Sequence, residues 1–188
     1  MAQEIQFTSD SSGSLEKMQG SDGRANVSSR SDSRSYYNSR DKGQTFSMAF
    51  DFQSATAGEY GFYCKNTSTN GLTLVIDSAG LNSVEASRIK LWYVTGTAAS
   101  GTLITPTNLN SASGNQAPAT VMEGNTAATG ITGLTTTGLI DFAYIAATGH
   151  EEFRLDDRLR IGPNDAIAIE YDEGTTGDFS GVIFGYFE

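Results

Sequence analysis

Cysteine, histidine and tryptophan occur once each in the 188 residues, and proline three times. The lone cysteine, Cys64, excludes an intrachain disulfide. It is read first as a small buried apolar group, the common fate of a free cysteine. An interchain partner and a reactive thiol are the other two readings. The lone histidine, His150, sits in GHEEF, and the residue four places on is Arg154. The spacing of a paired-histidine zinc site is therefore missing. One histidine and one cysteine far apart also argue against a zinc cluster or a Cys/His nucleophile pair. There is no Gly-x-Ser-x-Gly elbow, and the glycine-rich run GITGLTTTG lacks the Lys-Ser/Thr of a phosphate loop. The expectation is a protein that is not an enzyme and needs no cofactor.

Long apolar runs are also missing. None approaches the ~18 residues of a membrane-spanning helix. The start, MAQEIQFTSDSSG, has neither the basic nor the apolar region of a secretory signal. A protein made in the cytoplasm, with no membrane partner, is expected. Basic residues are few, 12 against 22 acids, for a net charge of -10. That balance argues against nucleic acid as a partner, since a basic surface is needed there.

The charge is unevenly placed. Residues 1–40 hold five acids and five bases, whereas 41–188 hold 17 acids and 7 bases. Ten serines lie between Ser9 and Ser35, with few apolar residues among them. Such a stretch cannot by itself bury enough surface to offset its ordering entropy. It reads either as a disordered tail or as an extended arm that orders against a partner. The arm is assigned to 1–38 and a folded body to 39–188.

What is present is strand pattern. Phe46, Met48, Phe50 and Phe52 alternate with Ser47, Ala49 and Asp51, the period of a half-buried strand. Similar runs cover Tyr60–Cys64, Leu72–Ile76, Ile89–Val94, Ala119–Glu123, Leu139–Ile145, Phe153–Ile161, Ala166–Tyr171 and Ser180–Phe187. Pro106 must end a short strand in GTLITPTNLN or push it to an edge. Residues 125–138 read as loop or short strands. HEEFRLDDRLRI also admits one helical turn. Eight to ten short strands without helices to cover a parallel sheet predict an all-β, antiparallel, jelly-roll-like β-sandwich with an N-terminal arm. In the last strand Val182, Phe184 and Tyr186 face one way and Ile183 and Phe187 the other. A strand apolar on both faces is covered on both; the arm, a long loop or another subunit could supply the second cover, and another subunit is the expected one. Val182, Phe184, Tyr186 and Phe187 are accordingly the self-association candidates.

Three clusters are weighed as sites. Asp156 and Asp157, beside Arg154, Arg158 and Arg160, read as a charged edge, with a glycosidase pair as the rival. Asp172, Glu173 and Asp178 in YDEGTTGD are weak calcium candidates, since hard cations take several oxygens on a flexible loop. Trp92 and Tyr93 are a candidate stacking platform for a glycan.

Four segments together, SSRSDSRSYYNSRDKGQTFSMAFDF, YCKNTSTNGLTLVIDS, VTGTAASGTLITPTNLN and RLRIGPNDAIAIEYDEGTTGDFSGVIFGYFE, resemble small virion structural proteins of tailed bacteriophages, head-decoration or fibre-like. The similarity spans about Asn26 to Glu188. It implies a β-sandwich body, a non-enzymatic role and localisation to the virion. It also implies assembly on a symmetric capsid, often as a trimer. A capsid decoration protein would then meet the major capsid protein through its arm, with Arg24, Arg30, Arg34, Tyr36, Tyr37 and Arg40 as contacts. The outer acidic loops, with Asp156, Asp157, Asp172, Glu173 and Asp178, are expected to face solvent and keep particles apart. The alternative is a fibre-like protein binding host-surface glycans through Trp92 and Tyr93.

Overall fold

The computed structural model describes residues 6–8, 15–17, 33–54, 56–124, 130–172 and 177–188. The chain divides into two compact units, Met1–Asp32 and Ser33–Glu188. In the first, β1 (Gln6–Thr8) pairs antiparallel with β2 (Leu15–Lys17), Phe7 opposite Glu16. The second opens with a short helix, α1 (Arg34–Tyr37), that widens into a π turn over Asn38–Lys42. Its strands follow as β3 (Thr45–Ser54), β4 (Glu59–Asn66), β5 (Leu74–Ser83), β6 (Ser87–Ala99), β7 (Thr102–Ile104), β8 (Thr107–Asn108), β9 (Ala119–Glu123), β10 (Thr132–Ile145), β11 (Gly149–Ile161), β12 (Ala166–Tyr171) and β13 (Gly177–Phe187). Among the described residues no helix is long and apolar enough to cross a membrane.

Two antiparallel sheets pack as a sandwich. One has the order β11-β5-β13-β3-β8, the other β10-β6-β12-β4-β9-β7. The pairs β3/β13, β4/β12, β5/β11 and β6/β10 are nested like the two arms of one long hairpin rolled up. That is the jelly-roll arrangement. The excursion between β6 and β10 supplies the remaining strands. Pro106 stands where the chain leaves β7, at the edge of one sheet, for β8, at the edge of the other. It has no N–H to give a ladder, so a crossing between edges suits it.

Alternation places the core. Phe46, Met48, Phe50 and Phe52 of β3 and Phe179, Ile183 and Phe187 of β13 meet Phe62 and Cys64 of β4 and Ile167, Ile169 and Tyr171 of β12. Cys64 is fully buried, its sulfur 3.8 Å from Met48 Sδ. Several runs extend beyond their predicted limits. The β5 ladder continues to Ser83, and β10 begins at Thr132, inside the stretch left between loop and strand. The HEEFRLDDRLRI segment is strand β11, with no helical turn.

The outer faces are covered from within the chain. At the end of the five-stranded sheet, Tyr186 and Val75 are fully buried although they point away from the core. The α1 region lies against them: Thr45 Oγ1 donates to Ser35 O at 3.1 Å, and Arg34 pairs with Glu188 at 3.5 Å. No second subunit is needed there, which corrects the expectation for Tyr186. On the six-stranded sheet, the ends of β6 and β10 bend across the outer face until Ile131 bridges to Tyr60. Ile131, Ala98 and Leu134 then pack on Tyr63, Ala166, Ala168 and Trp92, a second apolar cluster. The bend needs glycine twice. Gly96 and Gly133 have φ of +103° and +78°, and a Cβ on either would stand 2.3 Å from a carbonyl oxygen of the facing strand.

Two outcomes follow. Gly133→Ala lowers unfolding stability by about 1–3 kcal/mol in urea titration, the cost of a strained positive φ. Gly114→Ala, with open space around it, changes it little; equal losses would refute the bend. Burial pushes the Cys64 thiol up to about 12. Native protein at pH 8 is therefore inert to disulfide thiol reagents and labels stoichiometrically once unfolded. Rapid native labelling would contradict the packing.

Candidate functional site

The segment carrying the expected capsid contacts is built locally. Ser33 caps α1, its hydroxyl accepting from Tyr36 N–H at 3.2 Å, as a serine N-cap does. Gly43 ends the π turn in the left-handed region. Carbonyls of this turn are met by asparagines at and after the end of β8. Asn108 Nδ2 donates to Gly43 O and Asn110 Nδ2 to Ser39 O, both at 2.8 Å; Asn115 Nδ2 donates to Lys42 O at 2.9 Å. The stretch from Asn108 to Asn115, part of it read only as a connector, is a clamp.

Arg34, Tyr36, Tyr37 and Arg40 thus belong to the unit that begins at Ser33. Arg40 makes a two-point bond to Asp41, at 2.6 and 2.7 Å, and its guanidinium stands 5.3 Å from the centre of the Tyr36 ring. Arg34 reaches Glu188, which Arg160 also holds. Tyr36 and Tyr37 remain half exposed. Arg24 and Arg30 lie outside the described residues.

The two acidic clusters behave differently. Asp172 is held by Arg88 and by Lys90, whose Nζ is 2.7 Å away. Burial pushes its carboxyl up, but the hydrogen bonds from Lys90 and Arg88 hold it below the usual range. Lys90 also lies 3.9 Å from Glu170, which accepts from Trp92 Nε1. Asp172 is therefore engaged in an ion-pair network and does not act as a free solvent charge. Glu173 lies outside the described residues, and Asp178 accepts from Gln53 Nε2 at 3.0 Å. Among the described residues no group of three or more His, Cys, Asp or Glu side chains has the geometry to hold a metal ion.

Asp156 and Asp157 sit on a bulge of β11, where pairing with β5 breaks between Arg154 and Leu159. Both have left-handed backbone, φ +45° and +62°. Asp156 points outward and pairs with Arg158 at 3.9 Å. Asp157 turns inward beside Tyr186, and Asp157 Oδ1 and the Tyr186 hydroxyl are both buried from solvent. Burial first, then Asp157 and Glu188, push the Tyr186 hydroxyl up to about 12, with Arg34 acting the other way. Across the bulge, burial raises the Asp77 carboxyl, and Asp157, Asp156 and Glu152 raise it further. The Asp156 and Asp157 carboxyls thus face opposite ways on a convex bulge.

Trp92 and Tyr93 also part company. Trp92 joins the outer apolar cluster, with the Lys90 ammonium 5.8 Å from its ring centre. Tyr93 packs toward the core. Strand alternation sends the two rings to opposite faces, so they form no joint platform. In β13, Phe187 belongs to the core and Tyr186 is covered by the chain's own α1 region. Val182 and Phe184 are what the strand leaves at the surface, Phe184 at 38% exposure.

One exposed apolar group was not singled out in the sequence. Leu139, Phe142 and Tyr144 of β10 are 48%, 53% and 61% exposed, and the Phe142 and Tyr144 rings meet edge-on at 6.2 Å. Their partners across the ladder, Trp92, Lys90 and Arg88, place them on the outer face. The available signal was that LIDFAYI is apolar on both faces, as the last strand is.

Shallow hollows also mark the described surface. One of about 260 Å³ holds His150 and Asp178, and there His150 Nδ1 contacts Asn82 Oδ1 at 2.9 Å. One of about 350 Å³ is lined by Gln44, Asn70, Asn115 and Gln116, and one of about 290 Å³ by Glu59 and Tyr60. None of the three brings two carboxylates together. No family model, curated protein or solved structure matches the chain.

The acidic bulge gives a pH test. A carboxyl whose folded pKa is raised costs stability once ionised, so that cost is present at neutral pH and vanishes below the unfolded value of about 3.9. Asp77→Asn should raise the urea midpoint at pH 7, with a gain that shrinks toward pH 4 and below. A loss of stability at pH 7 would show that Asp77 is held by a favourable contact instead.

Proposed function

We propose that this chain is a structural protein of a tailed-bacteriophage particle, most specifically a head-decoration protein. Its N-terminal unit engages the major capsid protein on the outside of the shell, and its sandwich associates with copies of itself. Its action is adhesion, without a reaction or a cofactor. The observation that carries this reading is the way the described charged groups are used. Arg88, Lys90, Glu170 and Asp172 close on one another, as do Arg34, Arg160 and Glu188. Outward-facing apolar groups on β10 and β13, together with a distinct N-terminal unit, suit binding to other chains better than turnover of a small molecule. The phrase-level resemblance to phage virion proteins supports the same reading and supplies the particle.

Two features support this mechanism. The α1 region presents half-exposed Tyr36 and Tyr37, rings available to a shell contact in addition to residues 1–32. The body's excess of acids over bases keeps decorated particles mutually repulsive.

Co-sedimentation with empty shells of the major capsid protein from the same phage genome tests the reading. The full chain should bind saturably, and the chain lacking residues 1–32 should lose most of that binding. Failure of the full chain to bind, or undiminished binding without residues 1–32, would overturn it.

A further inference from the structure

A two-sheet sandwich has four open strand edges, and an open edge is a template for pairing with another chain. Three of the four are blunted. The β7 and β8 strands are three and two residues long. The β11 strand carries seven charged residues in thirteen and a bulge with two left-handed aspartates. Short length, charge and bulges are the usual protections. The fourth edge, β10, lacks the first two. It is 14 residues long, and residues 131–148 contain one charge, Asp141. Its pairing with β6 is irregular up to Leu139/Asp141 and regular from Asp141 to Ile145. Leu139, Phe142 and Tyr144 flank or lie on that run. One donor there, Phe142 N–H, is turned onto the Asp141 carboxylate at 2.8 Å, a local cap that a pairing strand can replace.

We infer that β10 is a self-pairing edge: the 141–145 run of one subunit adds antiparallel to the same run of a second copy, making one continuous sheet across a two-fold axis. Self-complementarity selects the occupant: paired antiparallel with itself about Ala143, the run sets Phe142 of one copy opposite Tyr144 of the other and Asp141 opposite Ile145. Each subunit carries a net charge of -10, so of all its surfaces two copies meet at least cost where charge is sparse. An isologous antiparallel contact uses the same strand twice and puts the outer faces of both sheets on the same side. The Phe142 and Tyr144 rings of the two copies then become cross-strand neighbours, the pairs that stabilise sheets. Registers that set Asp141 opposite Asp141 are excluded by like-charge repulsion. The inference deepens the self-association half of the proposed function and rests on it, with a two-fold contact in place of the three-fold one that the resemblance implies.

The test is sedimentation equilibrium of the full chain without any shell present, beside hydrogen exchange read at the amides of residues 141–145. Wild type should form dimers, and those amides should lose protection on dilution. Phe142→Lys should weaken dimerisation by about tenfold or more, through lost aromatic pairs and added like charge, with an unchanged melting temperature. If Phe142→Lys folds poorly, Leu139→Lys at the neighbouring exposed position is read the same way. A monomer at every concentration, an oligomer indifferent to both substitutions, or concentration-independent exchange at 141–145 would overturn the inference. Shell binding is measured separately. Dimers that ignore shells would refute decoration and keep the edge, whereas shell-bound monomers would do the reverse.

Discussion

The ring of Phe50 in the five-stranded sheet and that of Phe62 in the six-stranded sheet meet with centroids 5.0 Å apart, and the sandwich is joined through that contact. Phe179 lies 5.4 Å from Phe50 and 6.0 Å from Tyr171. One aromatic layer therefore ties β3 and β13 on one side to β4 and β12 on the other. These are the central strands of their sheets, and the nested pairing places each beside the strand that closes its half of the roll. Removing one such ring from a filled core costs about 3–5 kcal/mol, a large share of the stability of an ordinary domain. The central position of β13 explains why the chain's last strand is so apolar: it pairs on both sides and packs on both faces.

A sandwich solves its inner faces and leaves the outer ones. This chain covers part of both with its own segments. The helical turn after Ser33 shields Tyr186 and Val75, and the bent β6–β10 ribbon shields Tyr63 and the two alanines of β12. Each cover is fixed by polar detail as well as by apolar packing. Three asparagines hold the carbonyls of the turn, and a facing pair of glycines lets the ribbon fold back. Asn66 does similar work inside: its amide donates to Leu72 O and Ile161 O at 2.8 and 2.9 Å and accepts from Ser68 N–H. A buried amide with all these bonds made links the ends of two strands from different sheets at little desolvation cost.

Function in such a fold rests on its surfaces, since the sandwich itself hosts many unrelated activities. The charged side chains that a sequence reading gathers into candidate sites are largely partnered here. Asp172 has Arg88 and Lys90, Arg40 has Asp41, and Asp178 has Gln53. Exposed apolar side chains remain along β10 and β13, where Leu139, Phe142, Tyr144 and Phe184 stand at the surface.

The strand pattern was legible because alternation and turn chemistry are local. Phe46 to Phe52, Ala119 to Glu123 and Ala166 to Tyr171 declare their inner and outer faces by spacing alone, and the two-sheet class follows from their number. The start of the folded unit was not legible, because Ser33 to Lys42 is serine-rich and polar, and its helical turn is held by asparagines some seventy residues away. The separation of Trp92 from Tyr93 follows from alternation, but which ring takes the core depends on what the opposite sheet presents. The same holds for the β10 edge. Its composition was in the sequence, whereas its exposure was decided by topology: six strands end there, and the other three edges already carry their protection. Local pattern thus determined what each segment is, and long-range packing decided which of them remained uncovered.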